Sequence, residues 1–365
     1  MVASVASLMG LGVVMLYSAS MGAGLVQKQM IAMSLGLMGC FLAIAVDYRH
    51  LKRLSWPLFG LVVILLTLVL VPHIGVKAGG ARRWLNLWGF SFQPSDMAKL
   101  VWVICLAHYA DMNHKTMNEW VPGAVVPGAA SCLMLGLVFF EPDYGTTALL
   151  AAVSGSLLLM AGSRWWHITP PVLLGIACFA VAVYKDPVRM QRVMSWWDLE
   201  STKTTTGYQV YQSIIALGSG GVWGLGLESG RQKLGWVPEH HTDFIFSVIG
   251  EEMGLQATLG VVLVFAVFVC SGTYIAWRAR DRFGFLISGG LTLLIGLQAL
   301  INVGVVTGTF PNKGLPLPFI SFGGSNLAMM LTAVGIILSV ALRAPSDVED
   351  RPRALSDARD RSDVT

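Results

Sequence analysis

The stretch that decides the fold class is Phe283–Thr307, which reads FGFLISGGLTLLIGLQALINVGVVT. It contains no charged side chain and exceeds the roughly 18 residues that mark a membrane-spanning helix. Comparable apolar runs, separated by charged residues or by Pro and Gly, occur throughout the chain. The sequence therefore predicts an all-α polytopic membrane protein of about ten transmembrane helices, with a large extracytoplasmic loop between helices 7 and 8.

The ten spans are predicted from the apolar runs alone. Their bounds are about Val2–Ser20, Gln29–Val46, Ser55–Val71, Ser95–Tyr109, Val121–Phe140, Tyr144–Ala161, Trp165–Tyr184, Thr242–Trp277, Phe283–Thr307 and Leu317–Leu342.

The composition excludes a water-soluble enzyme. Of the 365 residues, 55% are hydrophobic and only 13% are charged, and the mean hydropathy is +0.65. A soluble domain carries about 25% charged residues. The polar residues after Arg343 show no apolar periodicity, so we expect a membrane domain over residues 1–343 and a disordered cytoplasmic tail over 344–365.

Basic residues predict the orientation. An even number of spans places both termini on one side, and short cytoplasmic loops are enriched in Lys and Arg. With cytoplasmic termini, the short inner loops carry Arg49, Lys52, Arg53, Lys115, Arg164, Arg278, Arg280 and Arg282. The short outer loops then carry only Lys28, Lys77, Arg82, Arg83 and Lys313. This orientation puts every unusual polar segment outside and predicts chemistry at the outer leaflet.

The cysteines predict neither a disulfide framework nor a zinc site. All five lie inside apolar runs and none forms a Cys-x-x-Cys pair. We expect them to be small buried hydrophobic residues.

The first polar segment joins KAGGARRW at 77–84 to QPSDMAK at 93–99. Pro94 suits the first turn of a helix, and Asp96 and Lys99 then lie three residues apart on one face. One interpretation is a capped helix with an ion pair and an interfacial Arg/Trp anchor. The other is a site for a phosphorylated lipid headgroup, because guanidinium groups match phosphate oxygens; its residues would be Arg82, Arg83, Trp84 and Lys99.

The second polar segment, EPDYGTT at 141–147, opens the sixth span. Asp143 either caps that helix or acts as a functional carboxylate at the membrane interface.

The third polar segment, residues 185–241, is too long to be a simple connection. It contains Arg189 and Arg192, then GYQVYQS at 207–213 and GSGGVWGLG at 218–226. These glycines match no phosphate-binding loop, dinucleotide fingerprint or nucleophile elbow. Interfacial or re-entrant backbone beside a wet groove explains them better.

The fourth polar segment, PEHHTDFIF at 238–246, leads into the eighth span. Its acidic and histidine side chains do not have the spacing of a known zinc motif. Thr242 or Asp243 could cap the helix. Alternatively, Asp243 is a partly desolvated carboxylate at the interface, suited to act as a general base.

The last two polar features lie near the C-terminal end. Gln298 and Asn302, four residues apart in the ninth span, predict hydrogen bonds between helices. The Pro- and Gly-rich stretch PNKGLPLPFISFGGS at 311–325 predicts an irregular entry to the tenth span.

Together these segments resemble the SEDS family of bacterial shape, elongation, division and sporulation proteins. The most specific matches are GARRW with QPS, GYQ with QS, and HTDFIF. The stretches PNKGL at 311–315 and FSVIGEE at 246–252 resemble the division branch, FtsW, more than the elongation branch, RodA. Four positions depart from the usual family residues: Asp96 replaces Glu, Glu141 replaces Gln, Phe322 replaces Tyr, and Leu199 replaces a Pro that often follows Asp in that loop.

The resemblance implies a peptidoglycan glycosyltransferase that polymerises lipid II at the outer leaflet of the bacterial inner membrane. It implies Asp243 as the catalytic residue and roles for Trp84 and Lys99. It also implies a class B penicillin-binding protein transpeptidase as partner, together with other divisome or elongasome membrane proteins, and no nucleic acid.

Our mechanistic hypothesis makes Asp243 the general base on the acceptor's 4-hydroxyl. The cations expected to hold the pyrophosphate are Arg82, Arg83, Lys99, Arg189 and Arg192. The other residues expected to contact substrate are Trp84, Gln93, Ser95, Asp96, Asp143, Gln212, Ser213 and His241. No protein metal site is predicted, although Mg²⁺ or Mn²⁺ could share the pyrophosphate. The alternatives are a lipid II flippase or other transporter, and a non-catalytic scaffold for a penicillin-binding protein.

Overall fold

The computed structural model describes residues 1–20, 23–78, 81–87, 90–230 and 241–344. Within those ranges the helices are α1 Val2–Ser20, α2 Ala23–Ala45, α3 Leu51–Leu70, α4 Pro94–Met112, α5 Val126–Phe140, α6 Tyr144–Met160, α7 Trp165–Lys185, α8 Pro187–Trp197, α9 Tyr208–Gly220, α10 Ile245–Trp277, α11 Arg282–Val306 and α12 Gly324–Leu342. A small antiparallel sheet contains β1 Gly75–Ala78, β2 Ala81–Leu87 and β3 Phe90–Phe92, in that order.

Each of the ten predicted spans corresponds to a helix, from α1 to α7 and from α10 to α12. By length and composition, eight helices of the described chain can cross a membrane, and α6 is a shorter apolar helix. The remaining span, α4, carries Asp96 and Lys99 in its first turns and is buried inside the bundle. The tail predicted for 344–365 lies outside the described residues apart from Ala344.

The helices alternate in direction, so the loops fall on two faces. We call the side that carries residues 71–78, 81–87, 90–93, 141–143, 186–230, 241–244 and 307–323 the site face. The opposite face carries the short loops around residues 46–50, 113–120, 161–164 and 278–281. The described parts of the polar segments singled out in the sequence therefore lie on one face, as predicted.

Burial separates inner from outer helices. The centre is formed by α4, α11 and α12, with α2 packed along α12 and α10 along α11. By contrast, α7 is almost entirely exposed, and Ile168 is its one buried residue. An apolar helix that faces outward in a membrane protein contacts lipid. For the same reason the prediction of buried cysteines is wrong for Cys132, Cys178 and Cys270, which are exposed on the bundle.

The opposite face is held together by charged side chains. Lys52 forms an ion pair with Asp111 at 2.7 Å, which joins α3 to the end of α4. Tyr48 donates a hydrogen bond to Asp281, at the start of α11. Arg343, just after α12, lies 3.5 Å from the Asp47 carboxylate. These contacts fix the helix ends remote from the site.

The helix α10 is broken near the site face. Gly254 has φ 77° in the middle of α10, a backbone conformation that glycine tolerates and other residues do not. The chain after α9 lies in this break, where Leu225 and Gly226 donate backbone hydrogen bonds to the carbonyls of Glu251 and Glu252 at 2.9 and 3.0 Å. The glycine-rich 218–226 stretch therefore packs against a helix rather than forming a phosphate loop.

Candidate functional site

Asp243 lies in a turn immediately before α10, half-buried on the site face. The helix follows Phe244, with no side-chain capping bond, so the proposed cap by Thr242 or Asp243 is wrong. Asn302 of α11 donates to the Asp243 carbonyl at 2.8 Å, and Ser321 donates to the Thr242 carbonyl at 2.5 Å. The backbone of the turn is thus fixed from two sides.

The segment that enters α12 covers this turn. The Phe322 amide donates to the His241 carbonyl at 3.0 Å, and the two rings lie 6.1 Å apart. A Cβ atom on Gly314 would come within 2.8 Å of Asp243 Oδ2. The carboxylate therefore lies directly against the backbone of Gly314, at a distance that only glycine permits.

Behind this turn, a charged network crosses the bundle. Lys99 Nζ lies 2.8 Å from Asp96 Oδ1, and both residues are buried. The same ammonium donates to Gln298 and Asn326, at 3.2 and 2.9 Å, while Ser325 donates to Asp96 at 2.6 Å. A buried ion pair of this kind persists only when its remaining hydrogen-bonding positions are filled, as they are here.

The network reaches the catalytic candidate through α11. Gln298 donates to the Pro316 carbonyl at 2.9 Å, and Asn302 donates to both the Leu315 and Asp243 carbonyls at 2.7 and 2.8 Å. The prediction that Gln298 and Asn302 form hydrogen bonds is confirmed, although most of their partners are backbone carbonyls of the loop and of the turn. The predicted Asp96–Lys99 ion pair is also confirmed.

The start of α6 meets the start of α4. Asp143 accepts hydrogen bonds from the Thr146 amide and hydroxyl at 3.1 and 2.9 Å, so it does cap α6. Gln93 donates to Ser95 at 2.9 Å and to Asp143 at 3.3 Å. These three predicted residues therefore lie together.

Arg83 on β2 is fixed by backbone carbonyls. It donates to the Glu141 carbonyl at 3.0 Å and to that of Pro142. The Glu141 side chain is fully buried, and neither carboxylate oxygen has a hydrogen-bond partner in the described chain. Burial, and secondarily the nearby Asp143 charge, raise the pKa of Glu141 to about 9, and Arg83 opposes this. Glu141 is therefore a neutral acid at pH 7.

Arg189 on α8 packs over aromatic rings at the outer ends of α5 and α6. Its guanidinium lies 4.1 Å from the centre of the Tyr144 ring and 5.5 Å from that of Phe139. It also forms an ion pair with Asp186 at 2.8 Å. Cation–π contacts at these distances orient the guanidinium without neutralising it.

Lys313 approaches the same aromatic rings from the α11–α12 loop. Its ammonium lies 5.3 Å from the Tyr144 ring centre and 5.4 Å from that of Phe179. Burial, together with the charges of Arg192, Arg189 and Arg83, lowers the pKa of Lys313 to about 8, and the Asp143 carboxylate opposes this. We call Arg83, Arg189, Arg192 and Lys313 the cation cluster. Gly314, whose backbone lies against the Asp243 carboxylate, is the residue next to Lys313.

Sequence reasoning missed Lys313 as a site residue. Lys99, which it placed among the phosphate-binding cations, is 1% exposed and belongs to the buried network. The signal in the sequence was that Lys313 is the single basic residue between two prolines of the loop before the last span. Only the fold reveals that this loop reaches α6 and α7.

The other predicted site residues are distributed around this centre. Arg82 and Trp84 are half-buried on β2, next to Arg83. Ser213 is buried and donates to the Val306 carbonyl at 2.8 Å, a packing contact between α9 and α11. Gln212 is half-buried on the same helix.

A tight protein metal site is not evident in the described part of the chain, where no group of three or more His, Cys, Asp and Glu side chains could hold an ion. Glu239 and His240, part of the acidic and histidine segment, lie outside the described residues.

Comparison with known proteins gives relatives over the whole membrane domain. The family model for cell cycle proteins of the FtsW, RodA and SpoVE type matches residues 1–345. A relative from Trichlorobacter lovleyi named "Probable peptidoglycan glycosyltransferase FtsW" is 37% identical over 92% of this chain and 91% of its own length. Stage V sporulation protein E of Bacillus subtilis is 33% identical over 92% of this chain and 94% of its own length.

Solved structures give the same fold. A chain of a peptidoglycan synthase complex, described for the structural coordination of polymerization and crosslinking, superposes with a TM-score of 0.80 at 28% identity, over 93% of this chain and 96% of that one. The rod shape determining protein RodA of Thermus thermophilus gives a TM-score of 0.71 at 28% identity, over 95% and 97% of the two chains.

Proposed function

From the premise that this chain belongs to the FtsW, RodA and SpoVE family of cell cycle proteins, we propose that it extends glycan strands from lipid II at the outer leaflet. It is a multi-pass membrane protein and a peptidoglycan glycosyltransferase. The observation that carries the proposed mechanism is the contact between the Asp243 carboxylate and Gly314, one residue from Lys313 of the cation cluster.

The reaction joins two saccharides by displacing a polyprenyl pyrophosphate. A sugar hydroxyl of the acceptor attacks the anomeric carbon of the donor, the bond from that carbon to the pyrophosphate oxygen breaks, and the hydroxyl proton passes to a base. Asp243 takes this proton in our proposal. A positioned carboxylate in a half-buried site is suited to this task, since general bases typically contribute about 10²–10⁴-fold.

The cation cluster stabilises the leaving group. Negative charge grows on the pyrophosphate as the glycosidic bond forms, and fixed cations aimed at developing charge lower the barrier without reorganising. Arg189 and Lys313 are held over the Tyr144 ring, and Arg83 by backbone carbonyls, so these cations are in place before substrate binds. Glu141 is neutral at pH 7 and therefore does not cancel their charge.

A divalent cation remains part of the proposal. Mg²⁺ typically binds one or two carboxylates together with substrate phosphates, and needs no dedicated protein cage. Asp243 beside the cation cluster provides such a carboxylate, and a bound ion would neutralise pyrophosphate charge. Chelation followed by graded addition of Mg²⁺ or Mn²⁺ tests the dependence.

We assign Lys99 a positioning role rather than direct contact with phosphate. Its contacts to Gln298 and Asn326 hold α4, α11 and α12 in register, and Gln298 and Asn302 in turn hold the loop that covers Asp243. A class B penicillin-binding protein in the inner membrane is the proposed partner, in keeping with the similarity to a chain of a peptidoglycan synthase complex.

The test is lipid II polymerisation by the purified chain in liposomes. Asp243→Asn is expected to abolish glycan strands while leaving the melting temperature unchanged, because the amide keeps the shape but cannot accept the proton. Glu200→Gln is the matched control, since Glu200 is an exposed carboxylate of the same outer segment. Full activity of Asp243→Asn would overturn the mechanism.

Two further outcomes would replace the proposal. Movement of lipid II between leaflets without polymer would indicate a flippase. A scaffold would be indicated if polymer forms only when a penicillin-binding protein with its own glycosyltransferase is present. In that case the Asp243→Asn variant would support polymerisation as well as the native chain does.

A further inference from the structure

The short helix α8 carries an apolar stripe that the described part of the chain leaves largely exposed. The stripe consists of residues spaced i, i+3, i+4 and i+7, which places their side chains on one helix face: Met190, Val193, Met194 and Trp197. Val193, Met194 and Trp197 are 37%, 53% and 83% exposed, and Met190 is half-buried. We call these four residues the α8 stripe.

The other side of α8 is fastened to the protein. Arg189 forms an ion pair with Asp186 and donates to the Ala182 carbonyl at 3.4 Å. Ser195 is buried, and the Trp196 indole donates to carbonyls of the α11–α12 loop at 3.2 Å. At 100° per residue Ser195 lies opposite the centre of the stripe, while Arg189 and Trp196 lie on one flank, about 90° and 110° from it. These contacts between α8 and the rest of the protein therefore set the direction in which the stripe faces.

The position of α8 identifies what the stripe meets. The helix begins at Pro187, two residues after the apolar helix α7 ends at Lys185. Because α7 exposes nearly all its apolar residues to lipid, α8 starts where that lipid-facing surface reaches the edge of the membrane. An apolar stripe ending in Trp, with Arg192 on the opposite side and Arg189 on the flank, is typical of a helix lying in the interface plane.

We propose that α8 is an interfacial helix, with the α8 stripe inserted into the lipid leaflet that adjoins the site face. A protein partner is the less favoured occupant, because the stripe continues the lipid-facing surface of α7.

This docking has a consequence that rests on the proposed function. Arg189 is part of the cation cluster, and Arg192 follows it on the same helix. A helix seated in the leaflet keeps both guanidinium groups at the height of lipid phosphates, which is where a lipid-linked pyrophosphate presents its charge. The membrane would thus set the depth of two phosphate-binding residues.

The experiment measures depth in the membrane. Single nitroxide labels at Met194→Cys, Trp197→Cys and Glu200→Cys are placed in the full-length chain with its five native cysteines replaced, in phospholipid nanodiscs. We expect the labels at 194 and 197 to lie about 5–10 Å below the phosphate level, as interfacial helices do, accessible to oxygen and shielded from a water-soluble nickel complex. The label at 200 is expected to be exposed to water.

Two results would overturn the lipid assignment. One is that all three labels are equally accessible to the nickel complex. The other is that positions 194 and 197 become shielded only when a second protein is added, which would assign the stripe to a protein interface.

A matched pair of acidic substitutions tests the consequence. Met194→Glu places a charge in the stripe, whereas Gln191→Glu places the same charge at an exposed position outside the four stripe residues. We expect polymerisation in liposomes to fall at least about tenfold for Met194→Glu and to be retained for Gln191→Glu. If the depth labels report water while Asp243→Asn is still inactive, the interfacial helix is wrong and the proposed function stands.

Discussion

The contact between Gly314 and Asp243 is the tightest point of the site. Because a Cβ at position 314 would lie 2.8 Å from Oδ2, any side chain there displaces the carboxylate. The displaced group is the end of a side chain, so it can move without unfolding the protein. The geometry thus separates catalysis from stability.

Gly314→Ala is therefore expected to lower kcat by about tenfold to hundredfold, since a misplacement near 1 Å has this effect on a positioned catalytic group. The melting temperature should stay close to that of the native chain. Gly323→Ala is the matched control, because its Cβ would meet only Asn326 Cβ at an ordinary 3.6 Å. Equal activity of the two variants would show that the carboxylate position does not limit the reaction.

Glu141 affects stability through its ionisation. Burial raises its pKa to about 9 in the folded protein, from the usual value of about 4.5. The unfolded chain ionises at the lower value, so the free energy of unfolding falls as the pH rises from about 4.5 to about 9, by at most about 1.4 kcal/mol per pH unit. Below pH 4.5 both states are protonated and this loss is absent.

Glu141→Gln removes this pH-dependent loss while keeping the shape of the side chain. We expect its melting temperature in detergent to exceed that of the native chain by a margin that is larger at pH 8.5 than at pH 6. Glu119→Gln, at an exposed position of the opposite face, is the control. A margin that shrinks with rising pH would mean that Glu141 is charged in the fold.

Local sequence rules predicted individual pairs well and distant groupings poorly. The Asp96–Lys99 pair and the Asp143 cap depend on residues three apart in one helix, so spacing alone predicted them. The burial of Lys99 depends on amides from α11 and α12, more than 190 residues away in the chain. No local pattern contains that information, and the same holds for Lys313.

At the level of elements, the apolar runs predicted the spanning helices because membrane helices need a fixed apolar length. The outer segments follow no such rule. The glycines within residues 185–241 were interpreted as interfacial or re-entrant backbone, without a prediction of the helices α8 and α9, and the predicted Arg/Trp anchor is part of β2. Their amphipathic and polar patterns are short, and contacts with the bundle decide their structure.

The break in α10 gives a prediction at this scale. Gly254→Ala is expected to destabilise the protein by at least about 1–3 kcal/mol, because φ 77° is strained for alanine. Its Cβ would also lie 2.5 Å from the Val222 carbonyl oxygen. Gly260→Ala in the same helix meets nothing within 4 Å and should be neutral or slightly stabilising. Thermal unfolding in detergent compares the two, and equal melting temperatures would mean that α10 is continuous.

For the whole molecule, the two faces differ in a way that connects charge to function. The site face combines Asp243 with the cation cluster. On the opposite face, Lys52 forms an ion pair with Asp111, and Arg282 donates a hydrogen bond to the Ala161 carbonyl. Basic residues in short loops remain on the cytoplasmic side during insertion, which predicts that the site face lies outside.

Accessibility of single cysteines in intact bacterial cells tests this orientation. We expect a membrane-impermeant maleimide to label Glu200→Cys in the outer segment before lysis, once the outer permeability barrier is opened. Lys115→Cys, in the loop after α4, should be labelled only after the inner membrane is disrupted. The reverse pattern would place the Asp243 carboxylate in the cytosol. Lipid II polymerised at the outer leaflet would then be out of its reach, and the proposed reaction would fail together with the orientation.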